Sequence, residues 1–232
     1  MALEDDLRAE VTAKFKTVWS VRDGKVVPDE NSVSLGNDGV RISATILYAD
    51  LSDSTKLVDE YSAEFSAEIY GSFLRCASKI IRANQGTITA FDGDRVMAVY
   101  MGDKREEHAC WTAMRINRAM QSIIRPEMLK QYPDVAYTPQ HTVGIDSSDV
   151  LVVKDGVRGD NDLIWVGRAA NYAAKLCVLD HAWQTRITEA IYQELPAELL
   201  WTVDGTAAWE AVSWTEMNDM RIYRSSCLAT GL

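Results

Sequence analysis

An α+β fold of the split βαβ (ferredoxin-like) type, with helices packed on an antiparallel-rich sheet and additional C-terminal strands, is predicted by three observations. Apolar segments follow one another in the order strand, helix, strand, strand, helix, strand, which fits a split βαβ sandwich with helices on one face of a largely antiparallel sheet. The stretch GTITAFDGDRVMAVY reads as a hairpin, with Asp92-Gly93 as its two-residue turn. Two segments, Ser62 to Ala83 and Glu106 to Ile123, place their apolar residues on one helical stripe. No internal repeat is present.

Taken in order, Leu7, Val11, Phe15 and Val18 recur at helical spacing, so Leu3 to Val18 is a predicted helix, a packing or dimerisation arm. Trp19 to Gly39 contains Asp-Gly twice and one Pro, which predicts an irregular, hairpin-containing connector. An arm over residues 1–40 therefore precedes one large domain over 41–232. Ala44 to Ala49 is a buried strand, and Ser62 starts a helix with Phe65, Ile69, Phe73, Cys76, Ile80 and Ala83 on one face, stopping at Asn84-Gln85-Gly86. After the hairpin, Asp103 and Glu106 have the spacing of a capping box for the helix carrying Ala109, Ala113, Ile116, Met120 and Ile123. Pro126, Pro133 and Pro139 then break the chain. His141 to Ile145 and Val150 to Val153 are predicted as two strands joined by DSSD. Leu163 to Val166 is another strand, after the polar turn GDND, and meets a helix at Gly167. A short strand (Thr185 to Thr188), a short helix to Leu195, and a meander containing Trp201, Trp209 and Trp214 complete the chain; those tryptophans suit core and edge packing.

Composition removes several function classes. With 232 residues and 47% hydrophobic content the chain can bury a sizeable core. A formal charge of −10 without a long basic stretch argues against nucleic acid as a partner. It does not exclude a phosphate substrate arriving with a divalent cation, which needs acidic ligands. The acidic N-terminus and the lack of a long apolar run predict neither a secretion signal nor a membrane span, and so a cytoplasmic protein. Cys76, Cys110, Cys177 and Cys227 are far apart, and His108, His141 and His181 lack ligand spacing, so buried thiols are expected rather than disulfides or a zinc site.

One charge demands explanation. The strand ATILYA ends on Asp50, followed by Leu51-Ser52-Asp53-Ser54-Thr55. A carboxylate at a sheet rim beside a turn rich in backbone N–H groups suits a metal-bound polyphosphate, while a helix cap at Asp50 or Asp53 explains the same residues. Asp94 puts a second carboxylate at a sheet edge or makes an ordinary turn residue. In the helix GRAANYAAKLCVL, Asn171 and Lys175 share a face, and the alanines allow close approach of a neighbour. The split βαβ order sets the first strand beside the hairpin, so Asp50 and Asp94 can meet; oxygen ligands that meet call for Mg²⁺ or Mn²⁺.

LYADLSDST, FDGDRVMAVY and WVGRAANYAAKL are similar, in order and spacing, to the metal-binding strand, the second metal-Asp hairpin and the transition-state helix of the class III nucleotidyl (adenylate/guanylate) cyclases. The likeness spans Arg41 to Tyr223, which makes 41–232 the expected cyclase catalytic domain. VWSVRDGKVVP leading to LGNDGVRISATILYADLSDST resembles the pyrimidine (uridylate) cyclases of bacterial Pycsar anti-phage defence. The resemblance implies attack of the ribose 3′-hydroxyl on the α-phosphorus with loss of pyrophosphate. It assigns two Mg²⁺ or Mn²⁺ ions to Asp50, Asp94 and the Leu51 carbonyl, and the β- and γ-phosphates to amides along Ser52, Asp53, Ser54 and Thr55. Asn171 would orient the ribose, and Lys175, where the family usually has Arg, would stabilise charge on phosphorus.

Departures from the pattern bear on the substrate. Ala90 and Ile164 stand where purine cyclases carry a Lys and an Asp that read the base, so a base pocket of Tyr48, Ala90, Phe91, Ile164 and Trp165 is expected to admit a pyrimidine by shape, with backbone or Arg95 donors. The Lys-Gly-Lys run that family members often place near the C-terminus is replaced by SWTEMNDM, leaving the γ-phosphate ligand unassigned. The resemblance further implies a homodimer with sites at the interface, cyclic UMP made from UTP as a second messenger, and a downstream cyclic-nucleotide-sensing effector. An adenylate cyclase with atypical base contacts and a non-catalytic nucleotide sensor are the competing expectations.

Overall fold

In a computed structural model, residues 2–157 and 160–232 are described. In chain order the elements are α1 (Ala2–Lys16), β1 (Ser20–Asp23), β2 (Asp38–Ser52), α2 (Ser54–Glu60), α3 (Ala63–Ala83), β3 (Thr87–Asp92), β4 (Arg95–Tyr100) and α4 (Arg105–Ala119). A π-helical turn (Met120–Ile124) leads into α5 (Arg125–Gln131), followed by β5 (Gln140–Val157), β6 (Asp160–Gly167) and α6 (Arg168–Cys177). Then come β7 (Thr185–Thr188), α7 (Glu189–Tyr192), α8 (Ala197–Leu200), β8 (Glu210–Trp214), a 3₁₀ turn (Thr215–Met217) and β9 (Met220–Ser225). The chain divides into two compact units: Met1–Ser43 with Asp149–Gly167, and Ala44–Ser148 with Arg168–Leu232.

The larger unit holds the site. Its strands follow the order β3-β4-β2-β5-β7-β9-β8. Most pairings are antiparallel, with β5 and β7 parallel. This is the expected α+β architecture, with β2, β3, β4 and β5 as the four strands of the split βαβ. Helices α3 and α4 cover one face: Leu47, Ala49, Val96, Ala98 and Tyr100 of the sheet share a core with Phe65, Ile69, Phe73, Ala77 and Ile81 of α3 and Ala109, Ala113 and Ile116 of α4. Full burial of a side chain such as Phe73 or Ile81 contributes about 2–3 kcal/mol. Ser62 caps α3 as expected, accepting a hydrogen bond from the Phe65 N–H at 3.3 Å. Past Phe73 the most buried positions are Ala77 and Ile81, with Cys76 and Ile80 at the flank of the stripe.

Three local expectations are corrected. Residues 140–157 form one strand rather than two joined by a turn at DSSD. Extended backbone is stable there because the polar side chains are satisfied from distant elements: Asp146 by Arg168 and Thr188, and the Ser147 hydroxyl by Glu106 at 2.8 Å. Helix α4 begins with Lys104 at its cap and no side-chain cap bond, so Asp103 and Glu106 make no capping box; Glu106 is buried and paired with Arg105 at 2.7 Å. The connector before Gly39 contains no hairpin, since β1 runs parallel to β2, pairing Ser20 with Asp38 and Asp23 with Arg41.

The smaller unit contains α1, β1, the first residues of β2, and the hairpin of β5 with β6, which pairs Val152 with Trp165 and Val153 with Ile164. Helix α1 buries none of its residues. Its C-terminal end is tied down by Asn37, whose Nδ2 donates to the carbonyls of Lys14 (3.0 Å) and Thr17 (2.6 Å), and by a Lys14–Asp155 ion pair at 2.7 Å. Of the predicted GDND turn, Gly159 lies outside the described residues, and Asp160 to Asp162 already belong to β6.

Candidate active site

Strand β2 alternates its side chains. Leu47, Ala49 and Leu51 enter the helix-covered core, so Tyr48 and Asp50 face the other way. On that face Asp50 lies opposite Arg95 of β4, and Tyr48 opposite Met97. The β3–β4 hairpin pairs Asp92 with Arg95, so its two loop residues are Gly93 and Asp94, not Asp92 and Gly93. Gly93 takes φ 60°, the geometry a tight hairpin requires at its first loop position and one that glycine adopts without strain. Asp94 therefore projects from the loop itself, beside Asp50.

The electrostatics of this pair are unbalanced. Burial, then the charge of Asp94, pushes the Asp50 carboxyl up to about 6. Asp94 Oδ2 is buried with no hydrogen-bond partner. An orphaned carboxylate oxygen beside a second half-buried carboxylate is costly unless a cation completes the arrangement. Among the described residues no group of three or more His, Cys, Asp or Glu side chains gathers to hold an ion. Two carboxylates with the Leu51 carbonyl nevertheless fit Mg²⁺ or Mn²⁺, which commonly share a few protein oxygens with substrate phosphates.

After Ser52 the chain turns at Asp53, which adopts the left-handed conformation (φ 58°, ψ 29°) at the N-cap of α2. Asp53 makes no side-chain cap bond; its Oδ2 lies 3.5 Å from His181 Nδ1 instead. The helix-cap explanation therefore fails for its side chain. The Leu57 N–H closes the first turn onto the Asp53 carbonyl at 3.1 Å, and helix geometry leaves the N–H groups of Ser54, Thr55 and Lys56 without intrahelical acceptors. Asp50 to Lys56 form one side of a cavity of about 650 Å³, and Thr142 with Cys177 to His181 line another.

Helix α6 packs Ala169, Ala173, Leu176 and Cys177 inward. It approaches β5 so closely that a Cβ at Gly144 would lie 2.1 Å from the Ala173 carbonyl oxygen. Its N-terminus is anchored by Arg168, whose Nε is 3.1 Å from Oδ2 of fully buried Asp146, and by the Ala169 N–H, which donates to Ser148 Oγ at 2.9 Å. Asn171 and Lys175 are exposed on the outward face, with Lys175 Nζ 3.6 Å from Met217 Sδ. Neither lines the cavity beside Asp50.

The expected base pocket divides. Ala90 pairs with Met97, and Met97 with Tyr48, so these three side chains share the face that carries Asp50. Phe91 pairs with Val96 and lies on the opposite, helix-covered face, so it does not join Tyr48 and Ala90. Ile164 and Trp165 belong to β6 of the smaller unit, the first exposed and the second half-buried. Arg95 is placed over the Tyr48 ring, 5.5 Å from its centroid, and bonds Asp92 Oδ2 at 2.8 Å. Burial raises the Tyr48 hydroxyl above its ordinary value, so the phenol stays neutral.

Lys56 and His181 line the cavity without having been singled out as site residues from sequence. Lys56 directly follows Ser52 to Thr55, the expected phosphate-binding residues, and its place in the chain is a signal that would have included it. His181 is far along the chain and carries no local signal.

No family model matches the chain. It is 44% identical over 227 residues to a uridylate cyclase of Xanthomonas perforans, covering 97% of each protein, and 43% identical to one of Burkholderia cepacia, covering 94% of each. Among solved structures it is similar to the adenylyl cyclase CyaB of P. aeruginosa (TM-score 0.68, 19% identity, 84% of this chain and 98% of that one). It is similar also to the guanylyl cyclase Cya2 (TM-score 0.68, 16% identity, 83% and 95%). A sheet of this order, helices on its face and carboxylates at the end of β2 and in the following hairpin accompany full-length identity of this size: the chain is a nucleotidyl cyclase of the class III fold and belongs to the uridylate cyclase family.

Proposed function

We propose that the protein converts UTP to 3′,5′-cyclic UMP and pyrophosphate in a reaction dependent on Mg²⁺ or Mn²⁺. The observation that carries the chemistry is the Asp50–Asp94 pair, one carboxyl held near 6 by burial and the other with a buried oxygen lacking any donor. Divalent ions bound there would acidify the ribose 3′-hydroxyl and neutralise the triphosphate. Asp50, Asp94 and the Leu51 carbonyl would hold those ions, while the N–H groups of the Ser52–Thr55 turn cradle phosphate oxygens. Asn171 orients the ribose and Lys175 stabilises negative charge developing on the transferred phosphoryl group. Because Asn171 and Lys175 do not line the cavity beside Asp50 in their own chain, the reading includes a two-fold homodimer in which each site combines the carboxylates of one protomer with the α6 face of the other.

For the base, identity to uridylate cyclases supports uracil. Tyr48 and Arg95 supply a ring face and donors suited to its carbonyl oxygens, and Ala90 leaves space without offering a purine a hydrogen bond. The product acts as a second messenger in bacterial anti-phage defence, read by a cyclic-nucleotide-sensing effector. Incubating the protein with each of the four ribonucleoside triphosphates and Mn²⁺ tests the substrate: cyclic UMP is expected to dominate, and dominant cyclic AMP overturns the pyrimidine reading. Asp94→Ala should abolish turnover with circular dichroism unchanged; equal inertness of the wild type toward all four triphosphates overturns catalysis.

A further inference from the structure

The cavity beside Asp50 is lined by five carboxylates, Asp50, Asp53, Asp59, Glu60 and Asp180, and by two side chains able to carry positive charge, Lys56 and His181. A triphosphate entering so acidic a cavity needs protein donors for its outer phosphates in addition to any metal. Lys56 is exposed on α2, with its Nζ 4.0 Å from Glu60 Oε1.

His181 is held by a more elaborate arrangement. It sits in the turn after α6, and that turn is clamped from below by Arg186, whose side chain is only 3% exposed. Arg186 Nη1 donates to the Trp183 carbonyl at 3.0 Å, and Nη2 to the Asp180 carbonyl at 2.6 Å and to Asp180 Oδ2 at 2.8 Å. The Ala182 N–H donates to Asp180 Oδ1 at 2.9 Å, and Gln184 Nε2 to the His181 carbonyl at 3.1 Å. Burying a guanidinium and directing its donors at one surface turn is an expensive way to order that turn unless its geometry matters. Across the cavity, Asp53 turns the chain in the left-handed region, which Asp tolerates better than most residues, and its Oδ2 approaches His181 Nδ1 to 3.5 Å. A carboxylate on one wall and a buried guanidinium behind the other converge on a single imidazole beside the Ser52–Thr55 turn.

We propose that His181 is a phosphate-binding residue for the outer phosphates of the nucleotide and for the pyrophosphate product. Its two ring nitrogens face different partners: Nδ1 lies toward Asp53, which orients the ring, and Nε2 is left for a phosphate oxygen. Lys56 contributes a second charge from the first turn of α2, on the same cavity. This inference rests on the nucleotide-cyclase reading of the cavity and names the ligand that the sequence leaves unassigned.

Titration calorimetry with Mn²⁺ on wild type, His181→Ala and His181→Arg, using UTP, inorganic pyrophosphate and UMP as probes, together with kcat and KM for UTP, tests it. His181→Ala should weaken UTP and pyrophosphate about tenfold or more and raise KM, while UMP affinity changes less than twofold; His181→Arg should recover most of the loss. Equal weakening of UMP and UTP, or no change in either, overturns the proposal. Wild type that makes cyclic UMP with His181→Ala indistinguishable from it overturns this inference alone. Wild type that turns over no triphosphate, yet binds pyrophosphate in a His181-dependent way, overturns the cyclase reading and supports the phosphate site.

Discussion

Replacing Asp50 by Asn should abolish turnover in the presence of Mn²⁺ and, in the metal-free protein, raise stability. The Asp50 carboxyl stands at about 6 in the folded protein against an ordinary 3.8, because burial and the Asp94 charge disfavour its ionised form. Between these two values the folded state holds more protons than the unfolded one, so stability falls as pH rises, and above about 6 the full penalty is present. At 1.36 kcal/mol per pH unit the gap corresponds to about 3 kcal/mol. Solvent screening of a group that is only half-buried reduces this to about 1–2 kcal/mol. For a chain of this length that is a rise in Tm of about 3–6 °C for Asp50→Asn at pH 7.5, shrinking toward zero below pH 4. Thermal unfolding monitored by differential scanning fluorimetry in EDTA, from pH 4 to 8, reads it directly. Adding Mn²⁺ should raise the Tm of the wild type and leave the variant nearly unmoved. A variant that is less stable than wild type at pH 7.5, or a difference independent of pH, would refute the electrostatic account of Asp50.

Gly144→Ala should destabilise by about 3 kcal/mol or more, because the added Cβ would meet backbone atoms, the Ala173 oxygen at 2.1 Å and the Cys177 nitrogen at 2.6 Å, which cannot swing aside; denaturant titration measures it, and a loss under 1 kcal/mol would mean α6 is free to slide. Thiol labelling with iodoacetamide at pH 8 should modify Cys227 and Cys76 in the native protein while sparing Cys110 and Cys177, both fully buried, the latter thiol pushed up to about 12 by burial first and the Asp50 charge second. Mass spectrometry of peptides reports the order, and early labelling of Cys177 would contradict tight packing of α6.

Legibility in the sequence followed the range of the interactions involved. The stripe Phe65, Ile69, Phe73 identifies α3 because a helix shows its own buried face, and Ser62 identifies its start because a cap is a local bond. Asp50 stood out as a charge ending an apolar strand, an anomaly visible within six residues. DSSD read as a turn because its polarity is local, whereas the partners that keep it extended, Glu106, Arg168 and Thr188, come from elsewhere in the chain. The expected turn at Asp92-Gly93 sits one position early, with Gly93 and Asp94 as the loop, because a two-residue loop depends on register, which is a property of paired strands. Phe91 is expected in the base pocket, but the same register, which pairs it with Val96, puts it on the opposite face. His181 gave no sign, since its approach to Asp53 exists only once the turn after α6 has come back beside the loop after β2.

The close seat of α6 on Gly144, together with buried charges holding the segments at both its ends, separates what the helix is from what it presents. Asp146 grips Arg168 at one end, Arg186 grips the turn beyond the other, and the alanine face leaves no slack between. Asn171 and Lys175 contribute little to that anchoring. The outward face of α6 is thus open to rewriting: on the proposed function, Lys175→Arg, or exchange of Asn171, alters what that face offers a nucleotide while the mount stays as it is, so this helix is where new reactivity can be sampled without first losing the fold.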